Sequence, residues 1–156
     1  MDKNQAVTAF LTSYSDINNN PLFFNFGNVE NDAYQVNVSY NDVSLNQKYI
    51  DGSELRRYTI LIDSFKSVSN TPVLSGNNAE NLDDMQEAQD LLDWINTQAK
   101  AKNYPDFGAD CIIDDMSVAT TEPQLVVIDT TLNPPIAVYR ITVRIDYIDI
   151  SNRIWS

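Results

Sequence analysis

Apolar residues recur along this chain with two different periods. Near the start, Val7, Phe10, Leu11 and Tyr14 fall at i, i+3, i+4 and i+7, one face of a helix. Asp2 and Gln5 stand where a capping box closes a first turn. The turn formers from Ser15 to Pro21 predict its end. A stronger helical stripe comes later. Met85, Ala88, Leu92, Ile95 and Ala99 alternate steps of three and four, and Leu91 and Trp94 widen the stripe. Glu80, Asp83, Asp84 and Glu87 lie in its first turns, and Lys100 and Lys102 lie at its end, the polarity a helix dipole favours. Pro105 predicts a stop within residues 103–108.

Elsewhere the period is two. Tyr34, Val36, Val38 and Tyr40 alternate with Gln35, Asn37 and Ser39, and Tyr58, Ile60 and Ile62 repeat the pattern. The clearest strand is the last. Tyr139, Ile141, Val143, Ile145 and Tyr147 point one way, and Arg140, Thr142, Arg144 and Asp146 the other. Val138, Ile148 and Ile150 have the wrong parity, which predicts a bulge or twist near each end. Shorter strands are predicted at Leu22–Phe26, Cys111–Val118 and Leu125–Asp129. Polar segments 41–48 and 67–78 read as loops, Asn133-Pro134-Pro135 as a break, and Asp51-Gly52 as a tight turn. The order α-β-β-β-α-β-β-β predicts an α+β fold, a mainly antiparallel, mixed sheet with two helices on one face. Residues 1–156 read as a single domain with no internal repeat.

Composition narrows the chemistry. With 43% hydrophobic residues the chain is not a disordered tail. Its 22 acidic and 10 basic residues give a formal charge of −12, which opposes electrostatic binding of DNA or RNA. There is no histidine, so histidine-dependent nucleophilic catalysis and His-ligated zinc are excluded within the chain. Cys111 is the only cysteine, and its apolar neighbours Ile112 and Ile113 suggest an inert thiol. The start, Met1-Asp2-Lys3-Asn4, predicts no secretory signal, and no apolar run is long enough for a membrane helix. Asp16-Ile17-Asn18-Asn19-Asn20 begins like a calcium loop, but Pro21 stands where that loop needs glycine. Asp114 and Asp115 point to opposite faces of a strand and cannot chelate together. No metal and no cofactor is expected, and no carboxylate pair stands out for acid–base work.

Two charge features remain. Glu80, Asp83, Asp84, Glu87, Asp90, Asp93, Asp106, Asp110, Asp114 and Asp115 concentrate acid in one part of the chain, either as a solvated surface or as one that repels phosphate. Against them stand Arg56, Arg57, Arg140 and Arg144. Arg140 and Arg144 share the polar face of the last strand, so their partner is either an acid of the same chain or the acidic patch of an identical neighbour.

Residues 49–58, Tyr-Ile-Asp-Gly-Ser-Glu-Leu-Arg-Arg-Tyr, resemble the YxDGS-x-x-R-x-Y segment of a phage family of minor capsid, tail-terminator or tail-to-head joining proteins. That family belongs to long-tailed phages of Gram-positive bacteria. Two further segments are similar in order: Asp93-Trp94-Ile95 followed by Asn103-Tyr104-Pro105-Asp106-Phe107-Gly108, and the closing Tyr139-Arg140-Ile141-x-Val143-Arg144-x-x-Tyr147. The resemblance runs from about residue 14 to 150. It implies a non-enzymatic virion subunit, assembled in the bacterial cytoplasm, that forms a hexameric ring on the tail tube. Its partners would be copies of itself, the tail tube protein and a head connector, with DNA passing through unbound and no membrane involved. In that setting Arg56, Arg57, Arg140 and Arg144 are the expected subunit contacts, and Asp83, Asp84, Glu87 and Asp90 the expected acidic lumen. Asp51 and Gly52 are the expected turn. Competing readings are another neck or connector protein, an acidic DNA mimic that inhibits a DNA-binding enzyme, and a small carboxylate enzyme.

Overall fold

The computed structural model of the chain describes residues 3–18, 22–24, 33–38, 44–67, 79–129 and 135–154. Two strands of 14 residues, β4 (Glu54–Ser67) and β7 (Ile136–Asp149), pair antiparallel along their whole length and form the middle of a seven-stranded sheet. On the outer edge of β4 lie β2 (Tyr34–Val38) and β3 (Ser44–Lys48), end to end. On the outer edge of β7 lie β5 (Cys111–Val118) and β6 (Gln124–Asp129), also end to end. β1 (Leu22–Phe24) adds parallel to β2, so the sheet is mixed but mainly antiparallel. The helices α1 (Lys3–Thr12) and α3 (Ala79–Lys100) pack on one face of it, with a single helical turn, α2 (Ser15–Asn18), after the first. The class is α+β.

The alternation along the two long strands decides what is buried. Tyr58, Ile60 and Ile62 of β4 and Ile141, Val143, Ile145 and Tyr147 of β7 face the helices. They close on Val7 and Leu11 of α1 and on Leu91, Leu92 and Ile95 of α3, and every one of these side chains is at most 3% exposed. Each contributes about 1.5–3 kcal/mol by leaving water. Trp94 bridges the helices, its ring 5.1 Å from both Phe10 and Tyr14. α3 ends in a Schellman closure. The Asn103 amide donates to the Gln98 carbonyl at 2.9 Å and the Lys102 amide to Ala99 at 3.1 Å, with Lys102 at φ 59° where glycine is usual.

Several expectations need correction. Ser15–Asn18 is helical rather than a turn, because Ile17 reaches the core at 1% exposure. Part of the polar segment 41–48 is a strand. Ser44–Lys48 pairs with Arg57–Glu54, and ladder bonds to a long neighbour override its composition. β4 begins at Glu54, ahead of its apolar alternation. β7 carries no bulge against β4. The irregularities fall in its other partners, between Ile113 and Asp115 and between Leu125 and Val127. Val138 is buried on the face away from the helices with Phe65, Ile136 and Ala33, which explains its parity. Asp2, Ser39, Tyr40 and the loop 68–78 lie outside the described residues.

The expectation of no internal repeat also fails. Each half of the chain runs from a helix to a broken outer strand and then to a long inner strand, and the two inner strands pair antiparallel. The halves are related by a pseudo-two-fold axis through the β4–β7 pair. Within it, Arg57-Tyr58-Thr59-Ile60-Leu61-Ile62-Asp63 matches Arg140-Ile141-Thr142-Val143-Arg144-Ile145-Asp146. Four identities and one Ile-for-Val exchange are too short a signal to stand out from strand alternation until the pairing aligns them.

Candidate functional site

The three segments that carry the resemblance meet at one end of the core. Tyr58, from the first, packs edge-on against Phe107, from the second, with ring centroids 5.6 Å apart at 74°. Phe107 in turn meets Tyr147, from the third, at 5.5 Å and 88°. Such pairs contribute about 0.5–1.5 kcal/mol beyond their buried area. Phe107 reaches this position because Pro105 and an Asp106 turn, whose carboxylate accepts from the Gly108 amide at 2.9 Å, end the connection from α3. The Tyr58 hydroxyl hydrogen-bonds Asn4, and the Lys3 ammonium stands 5.1 Å from the Tyr147 ring centre.

Asp51 and Gly52 form the β3–β4 turn and do more than reverse the chain. The Asp51 carboxylate accepts from the Ser53 hydroxyl at 2.6 Å and amide at 3.0 Å. These bonds hold its carboxyl below the usual range, and Arg153, whose Nε donates at 3.1 Å, adds to the effect. The Asp51 carbonyl accepts from the Ile154 amide at 2.7 Å. Gly52 has φ 89°, and a Cβ there would sit 2.3 Å from the Asn152 carbonyl oxygen. The turn is therefore clasped against residues 150–154. Beside it lies an open hollow of about 530 Å³ lined by Tyr49, Ile50, Asp51, Ser53, Ile148 and Arg153. Among the described residues its one carboxylate, Asp51, is already committed to Ser53 and Arg153.

Three of the four arginines have partners inside the chain. Arg57 donates from Nε to Asp146 at 2.8 Å and from Nη2 at 3.3 Å. Arg140 donates to Asp63 in the same two-pronged way, at 2.8 and 3.1 Å. These two pairs are images of each other under the pseudo-two-fold axis and lie on the face of the sheet away from the helices. They differ in depth: the Asp63 side chain is 4% exposed and that of Asp146 is 21%. The hydrogen bonds to Asp63 hold the Arg140 guanidinium above its ordinary pKa. Arg56 faces the helix side and donates from Nε to Glu54 at 2.9 Å, which likewise raises it. Arg144 forms no ion pair among the described residues, and its buried Nε has no hydrogen-bond partner.

Of the expected acidic group, the structure describes the side chains of Glu87 and Asp90. Glu87 bonds the ammonium of Lys66, a lysine 2% exposed that sequence reasoning passed over. Lys66 follows the buried parity of β4, which was the available signal. Asp90 and Asp93 are exposed on the outer side of α3, each accepting from a glutamine one turn earlier, Gln86 and Gln89, at 2.9 Å. The side chains of Asp83 and Asp84 lie outside the described residues.

Cys111 is half-buried and unpaired, and burial pushes its thiol pKa up, away from nucleophile chemistry. Among the described residues no three acid or thiol groups converge as a metal cage, and no helix is long and apolar enough to cross a membrane. A scan against models of known protein families returns no match, and neither does a search of curated proteins.

Proposed function

We propose that this chain is a structural subunit of a long-tailed phage. In this reading it forms a ring, of six copies, that caps the tail tube and joins it to the head. Its partners are copies of itself, the tail tube protein and the head connector. It carries no cofactor and performs no chemistry, and its place is the virion, after assembly in the bacterial cytoplasm. The observation that carries the reading is the Tyr58–Phe107–Tyr147 contact. A resemblance scattered over the chain has more weight when its parts build one piece of the core.

Charge supports the same reading. A conduit must not hold what slides through it, and a surface of like sign to phosphate repels DNA. The chain has a formal charge of −12, and Asp106, Asp110 and Asp114 are exposed with no ion pair among the described residues. They are the acids this reading would turn toward the bore.

The test is genetic and physical. Deleting the gene from its phage should give tails of uncontrolled, excessive length that fail to join heads. Mass spectrometry of purified wild-type tails should find the chain as a stoichiometric component. Tails that lack it would end the proposal, and recovery in a 1:1 complex with a DNA-binding enzyme would favour the inhibitor reading instead.

A further inference from the structure

Among the described residues the large apolar side chains left in water fall into two groups, at opposite ends of the long strand pair. The first is at the β3–β4 turn. Ile50 projects from it, 88% exposed, and exposed Ile154 stands beside it, its amide bonded to the Asp51 carbonyl. Exposed Ile112 lies opposite Ile148, which lines the hollow there with Ile50. The second group is on and beside β6. Leu125, Val126 and Ile128 are exposed, and so is Met85 of α3, at a hollow of about 330 Å³ lined by Met85, Gln86, Gln89 and Glu122. Leu125 is opposite Tyr139, which packs with Ala88 of α3, so this patch is on the helix side of the sheet, whereas Ile148 points to the other side. Tyr139 and Ile148 are about 30 Å apart along β7, at about 3.3 Å per residue, so the two patches do not touch within one subunit. The pseudo-two-fold repeat shows that β6 need not be apolar. It lays β3 on β6 down to the same irregularity, between Leu45 and Gln47 in one and between Leu125 and Val127 in the other. Where β6 has Val126, Val127 and Ile128, β3 has Asn46, Gln47 and Lys48, and Gln47 and Lys48 are exposed. A strand at this place pairs and folds with polar side chains, so the exposed apolar ones of β6 answer to something outside the subunit.

We infer that the Ile50 tip of one copy seats in the hollow between β6 and α3 of the next. The shapes suit each other: one patch is a projection, held by the bonds of Asp51 to Ser53 and Arg153, and the other is a recess. Beside each patch stands an exposed charge that forms no ion pair among the described residues. These are Lys48, two positions before Ile50, and Glu122, at the recess, and they are opposite in sign. Other pairings fare worse. Residues 63–67, 85–90, 122–129 and 136–140 hold Asp63, Glu87, Asp90, Glu122 and Asp129 against Lys66 and Arg140, so two β6 patches facing each other would set acid against acid. Two tips facing each other would set Lys48 against Lys48 and leave both recesses empty. Residues 48–56, 110–112 and 148–154 hold Lys48, Arg56 and Arg153 against Asp51, Glu54, Asp110 and Asp149, so neither end has the excess of cations that a nucleic acid needs. Two different surfaces in contact make a heterologous interface, which closes into a ring or runs on as a filament. The inference rests on the ring reading above for its biological meaning and names the self-contact within it. It stands or falls, however, on the purified protein alone.

The experiment blocks one surface at a time and reads assembly by sedimentation velocity over a concentration series. The parent protein should assemble as its concentration rises. Ile50→Asp, which spoils the tip, and Leu125→Asp, which spoils the recess, should each weaken assembly by about tenfold or more, the loss of one buried aliphatic side chain. Both side chains are exposed in the subunit, so both variants should keep the parent's circular dichroism and melting curve. Mixed together, the two variants retain one union, the intact tip of Leu125→Asp in the intact recess of Ile50→Asp, and should form a 1:1 dimer and nothing larger. Lys48→Glu and Glu122→Lys should each weaken assembly, and the double variant Lys48→Glu/Glu122→Lys should restore it; this pair serves if an aspartate variant folds poorly. The inference is overturned by a parent that stays monomeric at millimolar concentration, by a folded aspartate variant that assembles like the parent, by a mixture of folded variants that gives no dimer or gives larger species, or by a charge-swapped double variant no better than the singles. None of these outcomes touches the tail-joining reading, which depends on the composition and length of tails.

Discussion

The two ion pairs on the sheet face away from the helices form a built-in comparison: the same chemistry at equivalent places, at different depths. Replacing Arg140 by Met keeps most of the aliphatic packing and removes the charge. It leaves the Asp63 carboxylate, whose side chain is 4% exposed, without its two donors. An uncompensated buried charge costs about 3–5 kcal/mol. Arg57→Met does the same to Asp146, but that side chain is 21% exposed and water replaces the lost donors. The loss there should be about 1 kcal/mol or less. For a chain of this length 1 kcal/mol moves the melting temperature by about 2–4 °C, so the expected drops are about 6–20 °C and about 2–4 °C. Asp63→Asn should fall between them, because the Arg140 side chain is 30% exposed and its guanidinium can turn to solvent. Urea unfolding followed by circular dichroism measures all three, provided the slopes with denaturant agree. Equal losses for Arg140→Met and Arg57→Met, or a larger loss for Arg57→Met, would show that depth does not set the cost of these pairs.

Alanine substitution separates two glycines in the left-handed region, Gly52 and Gly108. Gly52→Ala should destabilise by about 2 kcal/mol or more, adding a clash with the Asn152 carbonyl to the strain of φ 89°, whereas Gly108→Ala at φ 96° meets nothing within 4 Å and should cost only about 1 kcal/mol. Thermal melts of the two variants decide it, and equal costs would mean that residues 150–154 do not close on the turn. Acid should act through Asp51 and Asp149, whose carboxyls sit below the usual range because Ser53 and Ser151 donate to them, hydroxyl first and amide second. A depressed carboxyl stabilises fully above its unfolded pKa and loses that contribution as pH falls through the lower folded one. The gap in melting temperature between the parent and Asp51→Asn/Asp149→Asn should therefore be widest near neutral pH and close toward pH 2; a constant gap would refute the assignment.

The two periods made most of the framework legible before any coordinates. The helical stripe marked α3, which buries Ala88, Leu91, Leu92 and Ile95 but leaves Met85 40% exposed, and Tyr139 to Tyr147 marked β7, whose alternate side chains are buried. What escaped was set by neighbours rather than by local pattern. Ser44–Lys48 is polar and becomes a strand only because β4 extends past its apolar stretch and offers free ladder groups. Ile17 turns a run of turn formers into a helical turn by reaching the core. For the candidate site, the sequence identified the right arginines but not their allegiance. Arg57 and Arg140 find their acids on the opposite strand, 89 and 77 positions away in the chain, a separation no local motif can encode.

The pseudo-two-fold repeat supplies a criterion for telling scaffold from surface. Arg57 and Arg140, Asp63 and Asp146, and Thr59 and Thr142 recur because the long strand pair places both halves in the same environment, so the fold alone accounts for them. The apolar pairs at the two ends also correspond, Phe65 with Val138 and Leu55 with Ile148. Yet the first pair is buried with Ala33 and Ile136, while the second is half-buried beside Ile112, which is 47% exposed. Arg144 in place of a leucine is the other departure. Folding requires neither difference, since the matching half manages without it. A guanidinium whose Nε is buried without a partner costs stability by about 1–3 kcal/mol, which a leucine at that place does not. The half that carries Arg144 is thus locally the less stable design. The repeat therefore separates Arg57 and Arg140, which each close on an acid across the strand pair, from Arg144, whose Nε has no hydrogen-bond partner among the described residues.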